Sequence, residues 1–150
     1  MDKKTRDNST MMKGLYWWGI PTLFRCPHKP ETEGCDIALV GVPHSTGNGT
    51  TQRDQHLGPR AVRNISAQGR RGHLKFGISP WEMCDIRDFG DVPLPEANNN
   101  EQCIERITEF YDVIAESGVR PVSIGGDHSI TGGILQAIAG PKSKLTNGEK

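Results

Sequence analysis

Asp127 and His128, set between the Gly125-Gly126 pair and Ser129, are the residues of this sequence best suited to chemistry. An imidazole can hold a divalent metal ion while a neighbouring carboxylate or carbonyl fixes its tautomer. Two glycines at the end of a strand let the backbone turn sharply enough to present both side chains at the ligand-binding edge of a sheet. The same residues also suit a plainer use, with Asp127 or Ser129 capping the next helix and His128 packed in the loop. A lone His does not make a metal site, so on chemistry alone the plainer use stands ahead.

Two other groupings invite a chemical reading. The stretch from His44 to Leu57 is rich in Gly, Ser and Thr and carries His44 and His56. It could cradle a phosphate, but it lacks the G-K-[ST] ending of a P-loop. Cys26, His28 and Cys35 could be zinc ligands, although their spacing matches no familiar finger and reduced thiols are the simpler reading.

The elements that must position these groups can be read from pattern. Asp36 to Val42 (DIALVGV) is an unbroken apolar run of strand length, ended by Pro43. Such a run suggests a strand covered on both faces, as in a parallel sheet. Pro59 is well placed to open a helix. Glu82 to Phe89 predicts a second strand, weakened by the charges that interrupt it. Asn99 and Gln102 form a capping-box pattern before a helix whose Ile104, Ile107, Tyr111, Ile114 and Ala115 recur at helical spacing. Gly118 closes that helix. Pro121 to Ile124 predicts a third strand leading straight into Gly125, and a last helix runs from about Ile130 to Ala139.

Strand and helix alternate, which reads as α/β with a parallel sheet. The last helix has no strand to lead into, since Lys142 to Lys150 is polar. The chain is therefore expected to stop short of a complete sheet, with the third strand left at an edge. Met1 to Lys13 reads as a flexible lead. The aromatic stretch Tyr16-Trp17-Trp18 that follows suits an arm, packed either on its own core or on a neighbouring subunit.

Composition narrows the function. The 18 basic and 18 acidic residues cancel, so no net field favours nucleic acid or an anionic membrane. No apolar run approaches the ~18 residues of a membrane span. Four cysteines without a C-x-x-C pair point to a cytoplasmic protein.

Four stretches, taken in order, resemble the arginase and agmatinase family of ureohydrolases. Gly19-Ile20-Pro21-Thr22 is similar to the amino-terminal arm of agmatinase-like members. Val40-Gly41-Val42-Pro43 with Gly58-Pro59-Arg60-Ala61-Val62-Arg63 resembles the first strand and helix. Asp88-Phe89-Gly90-Asp91-Val92 resembles the D-x-G-D-V that ends the second strand, and GGDHSIT the first metal-binding motif. The resemblance implies a three-layer α/β/α fold around a mostly parallel sheet, of which this chain holds the first part, residues 14–150.

It also implies a divalent metal pair, usually manganese with nickel or cobalt as alternatives, and hydrolysis of a small guanidino substrate to urea and an amine. His128 maps onto the first metal ligand. The later ligands, from D-A-H-x-D and D-x-D motifs, have no counterpart here, so the chain by itself is expected to be inactive. A full-length version is expected to be a homo-oligomer without nucleic-acid or membrane partners. The loop after the first strand departs from the family pattern: Ser45 replaces a usual Asp, the loop is longer, and His56 falls near an expected Arg. His44 and His56 are thus candidate substrate-tail contacts. A truncated, non-catalytic relative and a nucleotide-binding α/β module are the competing readings.

Overall fold

The computed structural model describes residues 19–46, 54–69 and 72–146. The predicted lead, Tyr16 to Trp18 and the middle of the His44–Leu57 loop lie outside them. The elements run β1 (Ile37–Val42), α1 (Gly58–Ser66), α2 (Pro80–Met83), β2 (Ile86–Asp91), α3 (Asn100–Ser117), β3 (Arg120–Gly125) and α4 (Ile130–Ile138). Short 3-10 turns cover Leu23–Arg25 and Asp54–Leu57. The strands form one parallel sheet in the order β2-β1-β3.

The apolar run on β1 is buried on both faces, as expected. Ala38, Val40 and Val42 join Ile107, Tyr111, Ile114, Ile130 and Ile134 in one core, under α3 and α4. Leu39 joins Leu23, Cys26 and Ile86 in a second core, against which Val62 of α1 and Trp81 of α2 pack. Successive strand residues point to opposite faces, so this split makes β1 the middle of an α/β/α sandwich. Tyr111 ties α3 to β3, its hydroxyl 2.6 Å from Ser123 Oγ. Burial pushes that phenol up to about 12, against the opposing effect of the Ser123 bond.

β2 begins later than the sequence pattern suggests. Glu82 and Met83 lie in α2, a single turn with Pro80 at its start. Proline's fixed φ suits a first helical position, and its missing N–H spoils a strand. The capping box is half formed: Asn99 Oδ1 accepts from Gln102 N at 3.1 Å, while Asn99 N donates to Glu96 O at 2.7 Å. Asn99→Ala is expected to cost about 1 kcal/mol (range ~0.5–2), read as a lower denaturation midpoint with unchanged slope; no shift in midpoint would contradict it. Gly118 ends α3 at φ 82°, the left-handed conformation a helix stop requires.

The outer sides of the sheet differ. Beside β2, Asp88 N donates to Pro27 O (2.9 Å) and Lys29 N to Asp88 O (3.1 Å), so the 27–29 segment covers that edge. β3 is the opposite edge strand, with Val122 48% exposed. Leu23 is fully buried in the second core, while Ile20 stays 91% exposed.

Candidate metal and substrate site

All the strands point their carboxyl ends to one edge. From β1 the chain goes to β2 on one side, and β3 lies on the other, so the β1 and β3 loops flank the point where the strand order reverses. That crevice is where open α/β sheets bind ligands. Gly126 N donates to Val42 O at 3.1 Å, and Asp127 N to His44 O at 3.2 Å. Only glycine permits this approach, because a Cβ at Gly126 would lie 1.9 Å from His44 O.

Asp127 joins the loops. Its Oδ2 accepts from Thr46 N (2.9 Å), Thr46 Oγ1 (3.1 Å) and Ser45 Oγ (3.3 Å). Its Oδ1 accepts from Ser129 N at 3.0 Å and from the Ser129 hydroxyl. Burial alone would raise this carboxyl, but the Ser129 and Thr46 donors outweigh it and bring it down to about 2. Asp127 thus closes a tight turn onto Ser129 just before α4, without accepting from the helix's own first N–H groups. Ser129, at the N-cap of α4, makes no side-chain cap bond of its own.

His128 is exposed at the same edge. Its Nδ1 lies 2.9 Å from Thr131 Oγ1; with Nδ1 donating, Nε2 keeps its lone pair for a cation. His44 is only 4% exposed. Its Nε2–H donates to Oδ1 of Asn100, the first residue of α3, at 2.9 Å. His56 is exposed on the 3-10 turn before α1. Gln55 Oε1 of that turn lies 3.1 Å from Ser45 Oγ and shares its one proton with Asp127, which brings the far end of the loop to the same point.

An ion-pair cluster escaped sequence reasoning. Asp88, 1% exposed, accepts from Arg63 Nε (3.0 Å) and Nη2 (3.1 Å) and from the backbone N–H of Leu23 and Gly90, both at 2.8 Å. Arg63 Nη1 reaches Asp91 Oδ1 at 2.6 Å. Burial would raise the Asp88 carboxyl, yet the Arg63 bonds and the two N–H donors hold it below the usual carboxylate range. The signal was in view: charge inside an otherwise apolar strand must find partners once buried. A cleft of about 360 Å³ opens beside this cluster, lined by Ile20, Pro21, Thr22, His28, Arg60 and Gly90 among others.

Among the described residues no three His, Cys, Asp or Glu side chains gather to hold a metal ion, and this includes Cys26, His28 and Cys35. Cys26 Sγ accepts from Trp81 Nε1 at 3.1 Å, and the Cys35 thiol donates to Ile37 O at 3.3 Å. The described residues therefore do not by themselves form a site for a metal pair. No helix among the described residues is long and apolar enough to cross a membrane.

Proteins similar to this chain include an agmatinase and a guanidinopropionase. The chain is 39% identical over 121 residues to the mitochondrial agmatinase of Gallus gallus, covering 81% of this chain and 35% of that protein. It is 34% identical over 120 residues to the guanidinopropionase of Pseudomonas aeruginosa, covering 80% and 37%. A hypothetical agmatinase from Burkholderia thailandensis superposes with a TM-score of 0.76 at 29% identity, over 83% of this chain and 39% of that one. The chain therefore spans little more than a third of the length of the curated relatives it matches. Residues 35–146 match the model of the arginase family, a span that holds the sheet, the core under α3 and α4 and the Asp127–His128 turn, and the chain belongs to that family.

Proposed function

We propose that this chain is the amino-terminal part of a metal-dependent hydrolase that cleaves a linear guanidino compound to urea and an amine. The observation that carries the reading is the place of His128: exposed, at the carboxyl end of β3, beside the reversal of strand order. The relatives named agmatinase and guanidinopropionase support the substrate class. A divalent pair, manganese by resemblance, would supply a hydroxide nucleophile at neutral pH for a weakly electrophilic carbon. From this chain His128 would give one ligand, and Thr131 would orient its ring. The other ligands would come from D-A-H-x-D and D-x-D stretches beyond the sequence in hand, in a full-length homo-oligomer. The free cysteines fit a reducing compartment such as the cytoplasm.

The two loop histidines divide the remaining work. Buried His44 holds the loop to α3, while exposed His56 is placed to meet a substrate tail. His56→Ala in the complete protein is expected to lower kcat/KM selectively for one tail chemistry, because a site built to hydrogen-bond a group rejects analogues lacking it. An equal loss across guanidino compounds differing only in tail would remove that role.

Urea release tests the proposal as a whole. With manganese, nickel or cobalt and a panel of guanidino compounds, the 150-residue chain is expected to release none. The complete reading frame is expected to turn over at ordinary enzyme rates of ~1–10³ s⁻¹. Turnover by the chain alone would overturn its incompleteness. A complete protein that yields no urea from any member of the panel would overturn the function.

A further inference from the structure

We infer that Asp127 is a positioning residue, fixing the substrate-reading β1 loop to the turn that carries the metal ligand; this rests on the roles proposed for His128 and His56. The geometry is specific. One carboxylate oxygen receives the Thr46 N–H, the Thr46 hydroxyl and the Ser45 hydroxyl. The other receives the N–H and hydroxyl of Ser129, the residue after His128. Below the carboxylate, the bonds from Gly126 N to Val42 O and from Asp127 N to His44 O hold the two backbones together. Gln55, beside His56, shares the single Ser45 hydroxyl proton with Asp127, at 3.1 Å against 3.3 Å. Asp127 is thus the one side chain among these contacts that bonds both the Ser45–Thr46 end of the loop and the turn after His128. Where the family pattern has Asp, Ser45 here contributes one donor, set between Gln55 Oε1 and Asp127 Oδ2. The latch therefore gains a hydroxyl at a position where a second carboxylate would only accept.

Asp127→Asn keeps the shape but turns an amide N–H₂ against donors on one side or the other, and Thr46→Val removes one donor without touching the turn. Hydrogen exchange by NMR on the 150-residue chain reads the latch without activity. The Thr46 amide is expected to exchange at least ~10-fold faster in Asp127→Asn, the loss of about 1.4 kcal/mol of protection. Thr46→Val should show a smaller effect in the same direction, while the Val40 and Ile124 amides of the sheet stay unchanged. In the complete metal-loaded protein, Asp127→Asn should raise KM for the guanidino substrate by about tenfold or more with manganese content unchanged. Unchanged Thr46 protection in both variants would overturn the latch. Faster Thr46 exchange with KM unmoved would reduce Asp127 to a purely structural cap and overturn the positioning role. If the wild-type complete protein makes no urea, the proposed function fails by itself, and a positioning role toward a substrate falls with it even where exchange shows the latch intact.

Discussion

His128→Ala in the complete, metal-loaded protein is expected to cut urea formation by more than the ~10–100-fold that loss of an outer-shell partner costs. It should also lower the bound metal by part of the pair. The fold should survive, because the imidazole is exposed and its Nδ1 pairs with Thr131 Oγ1 only three residues on, not with the core. Surface changes of this kind usually fall within about ±0.5 kcal/mol. Metal content by mass spectrometry, turnover and a denaturation midpoint would be read on one preparation. Unchanged metal content with unchanged turnover would return His128 to a packing role. A collapsed midpoint would mean that the residue holds the loop rather than an ion.

Arg63→Met should have the largest effect on stability, a loss of about 3–5 kcal/mol, because it strands Asp88 as a buried carboxylate without its cation. Met matches the stem of Arg, so packing against the arm is largely kept. The pH dependence gives a second check. In the wild type the Asp88 carboxyl lies below its unfolded value of about 3.9. Its stabilising contribution is therefore present above that value and is lost as pH falls through the folded one. In the variant, burial meets only the Leu23 and Gly90 N–H groups, so the carboxyl takes up its proton at higher pH. The stability gap between the two proteins should narrow as pH is lowered from about 7 to about 4. A gap that stays constant over that interval, or a loss under about 1 kcal/mol at neutral pH, would show that the cluster is not the joint of arm, α1 and β2.

Much of the scaffold was legible because each element carries its own local cause. DIALVGV could satisfy its apolar side chains only between two layers, and it lies between them. Pro59 opens α1, Asn99 caps α3 and Gly118 ends it through backbone geometry that is decided within a few residues. β2 was read too early because a proline turn and a strand compete for the same short segment, and the proline won.

The sequence by itself determined the α/β class, the residues of the GGDHS turn and the family, since propensity, period and motif are properties of neighbours along the chain. Tertiary structure alone decided what those residues do to one another. Parallel pairing on both sides of β1 brings residues 44–46 and 126–129 to one point, which no local pattern encodes. It makes Asp127 a clamp, buries His44 against Asn100, and leaves His128 and His56 open to solvent. It likewise joins Arg63 to Asp88 across 25 positions of chain. The physical reason is common to both: a buried or edge-facing polar group must find its partner in space, and the strand order, not the spacing, supplies that partner.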